Sequence, residues 1–274
     1  MNSIKEISFK QSLRRILRAI EKYGLLGFLR RWVHMIVYNL SAIVNNLSAI
    51  ASDDIRKTIE DTVVDQERLR VREAIDNYFD RVYRVDTRGT VIKNDFGISG
   101  GNVDYSKSYQ AVLPQPFVET MEQFPIDFRK FIFVDFGSGK GRAVLLASEF
   151  PFKKIIGVEL VPQFHRIAEA NCRGYKSTMQ HCREIELLCM DATDFSIPLE
   201  PLVLHFYNPF GIEVMSKIAA QIVQSLKEHP REIYIVYFSP KVRGVFENID
   251  ALELFPIRQP TLPGWPVAVW RSRA

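Results

Sequence analysis

From residue 130 onward the chain alternates short apolar runs with amphipathic stretches, and this alternation restricts the fold more than any other feature. Strands are expected at 130–136, 154–159, 185–190, 201–207 and 232–239, with helices at 140–149, 163–172 and 212–228. Strand–helix–strand repeats call for a parallel sheet with helices on both faces, because only a crossover returns the chain in the same direction. The end breaks the pattern. Leu252 to Ile257 and Val267 to Arg271 flank the turn-forming Pro260 to Pro266, so they predict an antiparallel hairpin. The expected class is α/β: a seven-stranded, mostly parallel sheet closed by a C-terminal hairpin.

Upstream the text is different. Residues 9–22 and 25–51 read as helices, and residues 1–51 carry eight Lys/Arg against Glu6 and Glu21, a balance of +6 in a chain of net charge +4. In the second helix Arg31, His34, Tyr38, Ser41, Asn45 and Ser48 form one narrow polar stripe on an otherwise apolar surface. A membrane span is opposed by His34 and the Asn45-Asn46 pair. A cleaved signal peptide is opposed by the long basic stretch before the apolar run. The expectation is an amphipathic helix packing on the globule, on a second copy as a homo-oligomer, or peripherally on an anionic membrane.

A charged helix from Asp53 to about Tyr83 follows, with apolar positions Ile55, Ile59, Val63, Leu69, Ala74, Phe79 and Val82. From Asp86 to Pro116 the Gly, Asn, Asp, Ser and Pro punctuation reads as loop, and a short helix is expected from Pro116 to Gln123. Cys172, Cys182 and Cys189 make neither a disulfide framework nor a metal clip; no metal is expected, and a reducing cytoplasm is. The near-neutral main domain gives no reason to expect nucleic acid as a partner.

The chemistry begins where Phe131-Ile132-Phe133-Val134 ends in Asp135, followed by Gly137, Ser138, Gly139, Gly141 and then Arg142. Glycines at a strand-to-helix turn let the backbone bend sharply and let a ligand approach closely. Glu159 ends the second strand and Asp191, followed by Ala192, ends the third. A carboxylate at the first of these places can accept from two ribose hydroxyls, and one at the second from an adenine amine. Three acids at the tips of successive strands are expected to face one crevice. A dinucleotide oxidoreductase would want its third glycine at 142, where Arg142 stands.

These residues resemble the class I S-adenosylmethionine-dependent methyltransferases over about residues 105–271. The resemblance implies a Rossmann-like fold and S-adenosyl-L-methionine as cofactor. It implies a cofactor-binding set of Asp135, Gly137, Ser138, Gly139, Gly141, Arg142, Glu159, Asp191 and Ala192. The likeness is to uncharacterised bacterial members and, more distantly, to seven-strand protein lysine methyltransferases. In the latter a Tyr- and Pro-bearing segment closes over the cofactor, a place that Tyr109 best matches here. The implied organisation is an N-terminal helical extension over 1–84, a loop and lid segment over 85–129, and a catalytic domain over 130–274.

The fourth strand breaks at Asn208-Pro209-Phe210-Gly211. Proline cannot continue a ladder, so the chain turns where the transferred methyl should lie. An Asn side-chain carbonyl and a backbone carbonyl together can hold an amine with its lone pair toward that methyl, and Phe210 can wall the site. The quartet resembles the Asn-Pro-Pro-aromatic motif of N-methyltransferases, without its second proline. Asn208, Pro209, Phe210 and Tyr109 are therefore the candidate catalytic residues. The expected activity is N-methylation of a protein side chain, lysine or amide. A small-molecule or glycan acceptor, or a non-catalytic interaction module, stands as the alternative. His205 reads either as a proton acceptor or as a buried strand histidine.

Overall fold

A computed structural model of the chain describes residues 53–95, 100–262 and 264–273. The helices expected at 9–22 and 25–51 lie outside the described residues. The chain divides into two compact units, Met1–Leu69 and Arg70–Ala274. Of the first, the structure describes the opening half of helix α1 (Asp53–Tyr83). No helix among the described residues is long and apolar enough to cross a membrane.

The second unit takes in α1 from Arg70. The reason lies in which side chains are buried: Val71, Ile75 and Phe79, and beside them Arg72, Asp76 and Asp80. Steps of four keep each set on one helix face. Of the apolar positions in this helix, Leu69 and Val82 are exposed, at 63% and 47%.

After a small antiparallel pair, β1 (Thr90–Val91) with β2 (Tyr109–Gln110), α2 (Pro114–Met121) leads into the sheet. It starts two residues earlier than expected, because Pro114, with its fixed φ and missing N–H, suits a first helical turn. Then β3 (Ile132–Phe136), α3 (Arg142–Ala147), β4 (Lys154–Glu159), α4 (Pro162–Gly174) and β5 (Ile185–Cys189) follow. The chain continues through β6 (Leu202–Tyr207), α5 (Ile212–Glu228), β7 (Ile233–Phe238), α6 (Gly244–Glu247), β8 (Leu252–Leu254) and β9 (Val267–Ser272).

The seven strands lie in the order β5-β4-β3-β6-β7-β9-β8, parallel except where β9 runs against β7 and β8. This is the expected α/β, Rossmann-like, seven-stranded sheet with its antiparallel hairpin. Strands β3, β6 and β7 are buried almost throughout, which is why their sequences read as unbroken apolar runs. One face, carrying Val134, Leu204 and Ile235, packs on Met215, Ile218 and Ile222 of α5. The other, carrying Phe133, Val203 and Val236, packs on Phe117, Leu146 and Phe79 of α2, α3 and α1.

Strand β3 pairs with β4 on one side and β6 on the other. The order reverses there, and in such sheets the crevice for a ligand opens at the carboxyl ends flanking the reversal.

Candidate functional site

The turn after β3 is held by backbone chemistry. Gly137 and Ser138 donate to the carbonyl of Val158 at 2.9 and 3.0 Å, which ties the bend to β4. Gly137 and Gly139 have φ of +74° and +54°, a region closed to most side chains. A Cβ on Gly137 would stand 2.7 Å from Pro209 Cβ, and one on Gly139 would stand 2.3 Å from the ring of Tyr109. The bend admits a close neighbour, and in this structure the neighbours are Tyr109 and Pro209.

Glu159 reaches the bend from the tip of β4. Its Oε2 accepts from Gly139 N and its Oε1 from Val161 N, both at 2.7 Å. Burial pushes its carboxyl up to about 7, although the N–H groups of Val161 and Gly139 pull the other way and Asp135 adds to the rise. Each carboxylate oxygen has a second lone pair to offer, so Glu159 can still accept from a ligand hydroxyl.

A cleft of about 510 Å³, counting the space open to solvent at its mouth, runs from this corner to the tip of β6. Of the expected residues it brings together Gly137, Gly139 and Glu159 with Asn208, Pro209 and Phe210, and Tyr109 lies along it. Tyr207, Phe164 and Gln110, which belong to no sequence motif, also line it. At the far end Asn208 has φ +44°, which asparagine tolerates better than most residues. Pro209 has no N–H, but its carbonyl accepts from Lys107 N at 2.9 Å, and Gly211 N donates to Tyr105 O at 2.7 Å. Segment 105–110 thus straps this end of the cleft. Phe210 is buried in the core and walls the cleft rather than standing free to stack on a ligand.

Other expected site residues sit elsewhere, each for a physical reason. Asp135 lies opposite His205 in the β3–β6 register, and its Oδ1 is 2.7 Å from His205 Nδ1 among Phe117, Phe133 and Phe238. It points into the core, not the cleft. His205 is thereby the buried strand histidine of the two readings, and among the described residues its Nε2 has no partner. The Ser138 hydroxyl turns toward Gly157, and Gly141 backs onto Ala168 of α4.

Asp191 accepts from Thr193 N at 2.8 Å, Thr193 Oγ1 at 2.7 Å and Asn102 Nδ2 at 2.9 Å. Burial works to raise its carboxyl, but these donors outweigh it and hold the group below the usual carboxylate range. Ala192 is buried beside Phe195. Neither Asp191 nor Ala192 lines the cleft, so the expectation of three acids facing one crevice reduces to Glu159.

The largest correction is Arg142. It is 1% exposed and faces α1, where it pairs with Asp76 and with Asp80 at 3.3 Å, donates to Thr87 Oγ1 at 2.7 Å and lies over the Phe79 ring. The first residue of α3 points away from the turn that precedes it. Arg72 completes the network: it pairs with Asp76, donates to Tyr207 Oη at 3.2 Å and donates to the carbonyl of Ala111. Thr87 O accepts from Tyr109 Oη at 2.6 Å. The brace therefore holds the strap, Tyr109 and Tyr207 together. Its signal in the sequence was Arg72, Asp76 and Asp80 at steps of four on the face that also carries Phe79.

A family model described as histone methylation protein DOT1 matches residues 105–188, which span the strap, the glycine turn and Glu159. No curated protein matches the chain. Among solved structures, an RNA methyltransferase from Salinibacter ruber in complex with S-adenosyl-L-homocysteine aligns at 18% identity and a TM-score of 0.40, over 59% of this chain and 94% of its own. A ribosomal protein L11 methylase from Lactobacillus delbrueckii subsp. bulgaricus aligns at 13% identity and 0.41, over 58% and 76%. A precorrin-6y C5,15-methyltransferase from Geobacter metallireducens GS-15 aligns at 13% identity and 0.42, over 58% and 86%. Nothing in these comparisons supports the expectation that nucleic acid is not a partner.

Proposed function

We propose that this chain is an S-adenosylmethionine-dependent methyltransferase acting on a nitrogen of a protein side chain. The observation that carries the reading is the buried Glu159 carboxylate set against a side-chain-free bend, in a cleft that continues to Asn208. The residues fit an adenosyl cofactor. Gly137 and Gly139 leave the bend open to close approach, and Glu159 keeps lone pairs for ribose hydroxyls. When bound, the cofactor supplies an electrophilic methyl on sulfur.

The chain's own work is then binding, orientation and exclusion of water. Tyr109, packed on Gly139 and tied through Thr87, is the strap residue that must yield to a ligand on the bend. Asn208 offers its carbonyl oxygen to an acceptor N–H, while Phe210 and Tyr207 wall the approach. Holding two reactants in line can supply much of the rate without a general acid or base. The histone methylation family's match over residues 105–188 supports a protein acceptor. A cytoplasmic site of action belongs to the same proposal.

The test is transfer of a radiolabelled methyl from S-adenosylmethionine to a cell extract, separated into protein, RNA and small-molecule fractions. Label in protein, recovered as an N-methyl side chain and lost with Asn208→Ala, is expected. Label confined to RNA or small molecules rejects the acceptor. The non-catalytic alternative draws on one observation, the Tyr109 ring already seated on Gly139. Cofactor binding without label in any fraction would favour it.

A further inference from the structure

Tyr237 sits on β7 with its ring wholly inside the core. In register it lies beside Phe206 of β6, two residues before Asn208. Its hydroxyl is 3.2 Å from Asn208 Oδ1. From the other side, the backbone N–H groups of Val242 and Lys241 turn their positive ends toward the phenol oxygen and work to lower its pKa, although burial holds it above the usual range.

A phenol oxygen has one proton and two lone pairs. With N–H dipoles on its far side, the phenol turns its proton toward Asn208 and donates to the carbonyl oxygen Oδ1. An amide turned over by half a rotation would lose this bond and bring its N–H groups against a phenol oxygen that other N–H dipoles already face. The positive φ of Asn208, just before a proline, fixes the backbone from which the amide hangs.

We infer that Tyr237 is a positioning residue that locks the Asn208 amide in one orientation, carbonyl oxygen forward, and so selects an acceptor carrying N–H. This rests on the methyltransferase reading and deepens it. Tyr237 spends one lone pair of Oδ1 and leaves the other for the acceptor nitrogen. The residue lies outside the cleft and acts only through Asn208.

Two cofactor analogues test the inference without an identified acceptor. S-adenosylhomocysteine has bare sulfur where the methyl would be attached. Sinefungin has a carbon bearing an amine in its place, so its N–H groups point toward the acceptor end. Calorimetry on the full chain compares wild type, Tyr237→Phe and Asn208→Ala. Tyr237→Phe keeps the ring in the core, and its melting temperature checks the fold.

Wild type is expected to favour sinefungin by about tenfold, the worth of one charge-assisted hydrogen bond. Tyr237→Phe should cut that preference by about fivefold or more while leaving S-adenosylhomocysteine affinity within about twofold. A preference that survives Tyr237→Phe but falls with Asn208→Ala overturns the role of Tyr237 and spares the site. A wild type without preference overturns the inference as well. Failure of both analogues to bind defeats the methyltransferase reading itself.

Discussion

The two ends of the cleft are built by opposite means. At one end nearly everything is local: a strand, a glycine bend and a single acid at the tip of the next strand, joined by backbone N–H groups. At the other end the short Asn208–Phe210 segment is only a seed. It is strapped by Lys107 and Tyr105, oriented by Tyr237 and walled by Tyr207, which Arg72 holds. Motifs written in consecutive residues specify binding geometry by backbone shape. The Asn208 end recruits side chains from across the chain, where spacing in sequence says little.

Both ends share one foundation, so breaking it should cost most. Asp80 accepts from Thr87 N at 2.8 Å, Thr87 Oγ1 at 2.5 Å and Arg88 N at 2.8 Å, and pairs with Arg142. Asp80→Ala leaves a buried guanidinium short of a partner and should destabilise the fold by about 3–5 kcal/mol in urea unfolding. A loss below about 1 kcal/mol would mean that water reaches the cluster and that it braces nothing.

Gly139→Ala should damage the local end alone. The added methyl meets the Tyr109 ring in a backbone region hostile to alanine. Affinity for S-adenosylhomocysteine should fall by about a hundredfold or more, measured by calorimetry, with a smaller change in stability. Retained affinity would show that the ligand does not seat on the bend.

Glu159 sharpens the contrast through pH. Its carboxyl is raised to about 7 when folded, so it favours the unliganded fold below its ordinary range, and that contribution is lost as pH rises toward 7. Ligand hydroxyls donate to the ionised form, so affinity should move the opposite way. It should rise roughly tenfold between pH 6 and pH 8, and Glu159→Gln should flatten the profile. A profile unchanged by that substitution assigns the titration to another group.

The smallest effect is expected at the third strand tip. Asp191 is already satisfied by Thr193 and Asn102 and lies off the cleft, so Asp191→Asn should change cofactor affinity by less than about threefold. A loss as large as that of Glu159→Gln would restore the picture of acids converging on one ligand.

These contrasts also explain what could be read from the residues alone. The strands were legible because Phe131–Val134, Leu202–Leu204 and Ile233–Val236 are buried on both faces and carry no mixed message. The bend and Glu159 were legible because glycine and a strand-end acid act through the backbone nearby. Asp135 was misplaced because strand pairing, invisible in a linear text, sets it opposite His205. Asp191 was misplaced because its partner Asn102 lies 89 residues away. Arg142 was misplaced because position within a motif says nothing of the direction in which a first helical residue points. Its true partners were written four residues apart in α1, as a charged face easily taken for a solvated one.

The central claim is that a ligand bearing a ribose seats between the glycine bend and Glu159, beneath the strap. Hydrogen–deuterium exchange of the full chain, with and without S-adenosylhomocysteine, tests it most directly. Slower exchange is expected at the amides of 137–141 and 159–161, with a change in 106–110 as Tyr109 moves off Gly139. Saturating ligand that leaves those amides untouched, or protects another face of the sheet, would contradict the account.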